Sequence, residues 1–253
     1  MKRGLLFLFL LLIATPAQAV EVKHYVKTSI GVFDACEETL SYNFRQDNSY
    51  DVQTTLTTTG TFGTLYPLKA EYHAYGIIAR DKFLPQKYAR QTTTRFNERS
   101  KDVIYDNGIP LYRVSIKNGY KRKDDIVPDE KYTCSNDLLT TMAEMARYIN
   151  KNGNCDFEQY SFNGKKYSLS KVKTVGYENL KTPYFSGRAL KCKYALEVLD
   201  DAEAGFMMNK DEPIYFWLLQ DEQTHAYFLA RAVIENTPFG QLEALTTKIE
   251  VEK

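Results

Sequence analysis

The chain has 253 residues, with 33 basic and 32 acidic side chains and a formal net charge of +1. So even a balance leaves no electrostatic footprint for nucleic acid. Aromatic residues make up 13%, Tyr foremost, and Tyr, Phe and Thr favour pleated surfaces, which points to a β-rich chain.

The first segment reads as an export signal. Met1-Lys2-Arg3 is a short basic stretch, Gly4 to Ile13 is apolar, and Thr15-Pro16-Ala17-Gln18-Ala19 puts small residues before a cut after Ala19. A spanning helix needs about 20 apolar residues, roughly twice this run. No cysteine stands at the cut to carry a lipid, and no later stretch is apolar enough to span a membrane. The expectation is a cleaved signal over 1–19 and a single β-rich periplasmic domain over 20–253. That mature part has 234 residues (253 − 19) and, without Lys2 and Arg3, 31 basic against 32 acidic side chains.

Along the mature part, Val26, Thr28, Ile30 and Val32 alternate with more polar residues, as do Leu40, Tyr42 and Phe44. A period of two places each set on one sheet face. Thr-rich Tyr50–Thr64, with Gly60 and Gly63, is expected to form a polar-faced hairpin. Asn107-Gly108 and Asn118-Gly119 supply the positive φ of tight hairpin turns. The mixed-sign run Lys121-Arg122-Lys123-Asp124-Asp125 is expected as a solvated loop.

One helix is predicted, near 136–151. Leu138, Leu139, Met142, Met145, Ala146 and Ile149 recur at helical period. Ser135 or Asn136 is expected to cap it, with Asp137 in the first turn, and Gly153 to end it. Its Met-rich stripe is read as core packing. Beyond it, Asn163-Gly164 lies between two strand-like runs and reads as a hairpin. Leu190, Cys192, Tyr194, Leu196 and Val198 are the clearest alternation. Ile214 to Leu219 is apolar at every position, the mark of a strand buried on both faces.

Cys36, Cys134, Cys155 and Cys192 form an even set in an exported chain and read as two disulfides. Spacing does not choose among the three pairings. No metal site is expected, because there is no C-x-x-C and His24, His73 and His225 are scattered.

No catalytic residue and no cofactor site is predicted. His225 reads as a solvated turn residue and His73 as a strand residue between aromatics. Ser29, Ser168 and Ser186 lack a Gly-x-Ser-x-Gly elbow. There is no phosphate-binding Gly-rich loop. Asp200, Asp201 and Glu203 lack calcium-loop spacing and read as an acidic turn.

The second half carries Cys155, then Phe162-Asn163-Gly164-Lys165-Lys166-Tyr167, then Ser186-Gly187-Arg188-Ala189-Leu190-Lys191-Cys192. On these motifs it resembles a bacterial family of exported proteins, domain of unknown function 3108. The resemblance continues through Gly205-Phe206, Pro213 to Trp217 and Thr237 to Leu245. In the first half, Ile30-Gly31 and Leu84-Pro85-Gln86-Lys87-Tyr88 look similar to family elements. Asn163 stands where the family usually has Asp. The resemblance implies a Gram-negative envelope protein. Its fold would be mainly β, a strongly bent antiparallel sheet forming an open or spiral barrel around one α-helix. It also implies a Cys155–Cys192 bridge, leaving Cys36 and Cys134 as the other pair. It implies no activity.

The functional expectation is a non-enzymatic periplasmic protein that supports the envelope and binds a lipid or other apolar ligand. The groove is expected at Ile214, Phe216, Trp217 and Leu218, since small-molecule sites are concave and mostly apolar. The alternative is an adaptor that captures an envelope protein partner's peptide at a sheet edge or with Gln53–Thr64. A hydrolase would need converging polar groups that the sequence does not show.

Overall fold

The computed structural model describes residues 20–127, 129, 135–199, 213–222 and 225–252. The expected signal segment, Cys134 and the acidic run at Asp200, Asp201 and Glu203 lie outside the described residues.

A first meander comprises β1 (Val20–Ile30), β2 (Phe33–Phe44), β3 (Ser49–Thr58), β4 (Leu68–Ala79), β5 (Lys82–Thr94), β6 (Glu98–Asp106), β7 (Ile109–Lys117) and β8 (Tyr120–Asp125). A six-residue helix, α1 (Gly60–Leu65), is inserted in the β3–β4 connection, so the expected Thr-rich hairpin forms but carries a helical turn at its tip. The chain then enters β9 (Ser135–Asn136) and the main helix α2 (Leu138–Asn152). A second meander follows: β10 (Phe157–Phe162), β11 (Tyr167–Lys181), β12 (Ser186–Val198), β13 (Ile214–Gln220), β14 (Tyr227–Thr237) and β15 (Gly240–Glu252). The fifteen strands of the described residues form one sheet, ordered β8 to β1, then β15 down to β9. Pairing is antiparallel except for β9 against β10, and β1 and β15 join the two meanders.

The turn chemistry was legible. Asn107-Gly108 and Asn118-Gly119 link β6–β7 and β7–β8 with positive φ at both residues, the type I′ requirement. Gly153 ends α2 at φ 67° and donates its N–H to the Ile149 carbonyl. Val32 differs from expectation: β1 stops at Ile30, and Val32 sits in the turn, 91% exposed. The charged run 121–125 is also no loop but lies in the edge strand β8. Asp124 pairs there with Arg113 of β7 and with Arg122, and the Lys123 ammonium lies over the Tyr112 ring. Charges on an edge discourage strand addition.

The cap of α2 is Asp137 rather than Ser135 or Asn136, because those two residues are taken up by β9. The Asp137 carboxylate accepts from Thr140 N at 2.9 Å and from Thr140 Oγ1 at 2.6 Å. The helix lies inside the bend, against β3, β4 and β5 on one side and β10 and β14 on the other. One core joins Leu139 and Ala143 of α2 to Tyr50, Val52, Phe83 and Val103. Gly76 makes room for it: a Cβ there would lie 2.2 Å from the Leu84 carbonyl and 2.8 Å from the Tyr50 hydroxyl.

A second core surrounds Cys155 and Cys192, which are bridged and fully buried beside Ile149, Val172 and Leu190. The bridge spans 37 residues, and the Cys155 N–H donates to Thr174 Oγ1 of β11. Among the described residues Cys36 has no disulfide partner, and its thiol is half-buried. Burial raises its pKa, and its expected partner Cys134 is outside the described residues.

The sheet's two ends meet without a ladder. Three successive carbonyls of the β10–β11 turn accept hydrogen bonds from the first meander. Phe162 O accepts from the Tyr105 hydroxyl (3.2 Å), Asn163 O from the Lys101 ammonium (3.3 Å) and Gly164 O from the Arg113 guanidinium (2.8 Å). Gly164 is needed there: its φ is +82°, and a Cβ would lie 2.7 Å from Val103 Cγ2. This clasp holds an unclosed sheet in a barrel-like curve.

Candidate functional site

Between α2 and the concave face lies a cavity of about 390 Å³. The sheet contributes His24 and Leu40 with Tyr42 from β1 and β2, then Tyr194 and Leu196 from β12 and Leu229 from β14. From the helix come Leu138, Thr141, Met142, Met145 and Ala146. Leu138 is 39% exposed although it lines the cavity, so the space opens toward solvent near the start of α2. Its volume falls within the range of small-molecule sites, and its wall is overwhelmingly carbon. Among the described residues no Lys, Arg, Asp or Glu side chain lines it.

The expected groove residues divide here. Ile214, Phe216 and Leu218 line the cavity, while Trp217 faces the opposite side of the sheet. Trp217 is 5% exposed, packs with Leu180, Ala189 and Leu219, and donates its indole N–H to Glu178. The cations of Lys191 and Arg231 each lie 4.8 Å from its ring. An all-apolar strand hides which of its residues face which way, so Trp217 was grouped with its neighbours. The Met-rich stripe also differs from a filled core: Met142 and Met145 are only half-buried and border the void.

Three buried side-chain atoms lack a hydrogen-bond partner among the described residues: His24 Nδ1, Thr141 Oγ1 and Arg113 Nε. The first two belong to residues lining this cavity. Leaving such a group unpaired costs about 1–3 kcal/mol. Burial lowers the His24 pKa to about 4, so the imidazole is neutral at ordinary pH. Its ring stands edge-on to Tyr42 at 6.3 Å. Sequence reasoning missed His24, Tyr42 and Thr141 as site residues. The signal for His24 was present, since the alternation at Val26, Thr28 and Ile30 extends back to position 24 on the same face.

On the other flank of α2 the cap and its neighbours form a connected set of hydrogen bonds. Thr140 Oγ1 bonds both Asp137 and the Tyr50 hydroxyl (2.8 Å). Burial raises the Asp137 pKa to about 6 despite its hydrogen bonds to Thr140.

A second concavity, about 300 Å³, lies on the polar face of β1, β2 and β3. Its groups largely satisfy one another: Ser41 donates to Glu21 (3.0 Å), Gln53 to Asp51 (3.0 Å), and His73 pairs with Asp51 (2.8 Å). His225 sits exposed between β13 and β14 with φ 56°. No three His, Cys, Asp or Glu side chains gather as a metal cluster among the described residues. No helix among them is long and apolar enough to cross a membrane.

An unclosed, bent sheet wrapped around one helix, with an apolar cavity between them, defines a β-barrel-like class. The family model "Protein of unknown function (DUF3108)" matches residues 22–247, and the chain belongs to that family. Among solved structures, the chain is similar to a β-barrel-like protein of domain of unknown function DUF1849 from Brucella abortus. The TM-score is 0.53 at 10% identity, covering 93% of this chain and 98% of that one, a likeness of fold alone. No curated protein matches the chain.

Proposed function

We propose that this is an exported, periplasmic protein that holds a lipid or another apolar molecule between α2 and the sheet, in support of the cell envelope. The carrying observation is the cavity: about 390 Å³ of space walled by carbon inside an otherwise well-packed fold. An apolar cavity of about 150 Å³ takes up benzene, and scaling that case gives room for about sixteen heavy atoms. That is the size of a medium-length acyl or alkyl chain. The basic, apolar and small-residue order of 1–19 and the buried Cys155–Cys192 bridge support export. Among the described lining residues no carboxylate stands beside His24 to orient it as a base, and the reading is non-enzymatic. The adaptor reading is less favoured, because the β8 edge is charged and β3, within the Thr-rich stretch, is paired on both sides.

The test is native mass spectrometry of protein purified from a periplasm, followed by organic extraction and titration with the neutral dye N-phenyl-1-naphthylamine. A stoichiometric extra mass removed by extraction, or saturable dye binding at one site, is the expected result. A bare protein mass together with no dye uptake sinks the reading.

A further inference from the structure

The cavity is apolar but not featureless, and its two unpartnered polar atoms stand on different walls. His24 belongs to β1 and is 6% exposed; Thr141 belongs to α2 and is 3% exposed. Both residues line the void, and neither atom has a hydrogen-bond partner among the described residues. Three other lining hydroxyls are already engaged, Ser170 with Tyr194 at 3.2 Å and Tyr227 with Tyr177 at 3.4 Å. Native folds rarely leave buried polar atoms unsatisfied, and exceptions call for a missing partner.

We propose that His24 and Thr141 form a polar anchor within the cavity, and that the cavity takes a chain-like amphiphile whose buried end carries an uncharged oxygen group, such as a hydroxyl, ester or amide. The inference rests on the apolar-ligand reading and narrows it to one ligand chemistry. Charge excludes the other head groups. An ionised carboxylate or phosphate would enter a space with no lysine or arginine among its described lining residues and lose its hydration without compensation. The imidazole supplies no positive charge either, being neutral above about pH 4. A neutral imidazole has one N–H and one bare nitrogen, and a threonine hydroxyl both donates and accepts. The pair therefore matches a group that accepts one hydrogen bond and, in an alcohol or amide, donates another. A plain hydrocarbon would fill the volume yet leave both atoms unpaired.

The experiment compares 1-decanol, n-decane and ionised decanoate at pH 8 as competitors of N-phenyl-1-naphthylamine on the mature protein. The proteins are the wild type, Thr141→Val and His24→Phe. Decanol is expected to bind the wild type about 10-fold more tightly than decane after correction for partitioning from water, and more tightly than decanoate. Thr141→Val preserves shape and removes the hydroxyl. It should abolish most of the decanol preference and leave decane binding unchanged. His24→Phe should act alike, and if that variant fails to fold, Thr141→Val with Thr141→Ser as the rescue decides alone. Equal binding of decanol and decane to all proteins overturns the anchor and leaves the apolar-ligand reading standing. Preference for decanoate overturns the uncharged head group. Failure of the dye and every competitor to bind overturns both readings together.

Discussion

The two flanks of α2 are built from neighbouring residues of one helix and differ in every respect that matters for binding. On one flank, Leu139, Thr140 and Ala143 are packed against Tyr50, Val52 and Phe83, with the Asp137–Thr140–Tyr50 chain of hydrogen bonds complete. On the other, Leu138, Thr141, Met142 and Met145 border a void, and Thr141 keeps its hydroxyl unpaired. The same helix thus shows that this fold can fill space and satisfy polar atoms. The empty flank is a local property of the cavity, not a sign of loose packing throughout. The comparison also separates stability from binding, placing the first on the filled flank and the second on the empty one.

The largest expected effect comes from removing the disulfide that braces the far wall. Closing a 37-residue loop lowers the entropy of the unfolded chain, which corresponds to about 4 kcal/mol. A Cys155→Ala, Cys192→Ala double variant should melt about 10 °C lower in calorimetry. An unchanged melting point would mean that the bridge braces nothing.

Next in size, the flanks should respond to acid in opposite directions. Asp137, on the filled side, has its pKa raised from 3.8 to about 6, so the stability it favours is full below pH 3.8 and is lost as pH rises through 6. His24, on the empty side, has its pKa lowered from 6.5 to about 4, so its stability is full above pH 6.5 and is lost as pH falls through 4. Each shift corresponds to about 3 kcal/mol. On going from pH 6.5 to 4, Asp137→Asn should therefore lose about 2 kcal/mol more than the wild type in urea melts, and His24→Phe about 3 kcal/mol less. Parallel pH curves for all three proteins would remove the electrostatic half of the comparison.

The smallest effects test volume directly. Ala143→Leu forces extra carbon into the filled flank, where Ala143 is fully buried, and should destabilise by about 2 kcal/mol. Ala146→Leu, one turn along, points into the void and should stabilise by about 1 kcal/mol while weakening uptake of N-phenyl-1-naphthylamine. If both substitutions cost the same, the two flanks are equally filled and the contrast fails.

Local features of this molecule were legible in the sequence, because their causes are local. The Asn-Gly turns, the Gly153 stop of α2 and the alternating faces of β2 and β12 depend on residues a few positions apart. The bent sheet around one helix and the Cys155–Cys192 bridge came through the family resemblance. Two kinds of feature were hidden. Asp137 displaced Ser135 and Asn136 as the cap because those two were claimed by a pairing with β10, a partner distant in sequence. Trp217 was set among the groove residues because an unbroken apolar run contains no polar residue to mark its two faces. The anchor pair was hidden for a third reason: His24 and Thr141 are brought to one cavity by β1 and α2, 117 positions apart (141 − 24).

The pairing of β1 with β15 has a kinetic consequence. Read in sheet order, the antiparallel strands run as a meander from β10 through β15 to β1 and on to β8; the chain is a circular permutation of that path, with β9 and α2 lying in the connection from β8 to β10. Each meander can zip from hairpin to hairpin across local connections, the longest being the fifteen residues between β12 and β13 (199–213). The junction between them cannot: the Tyr25–Glu250 bond across it closes 225 residues of chain. Loop closure of that length is slow and entropically unfavourable, so the seam at the centre of the sheet is the step that waits for both halves, and the cavity, whose walls come from both, is completed only when that seam closes.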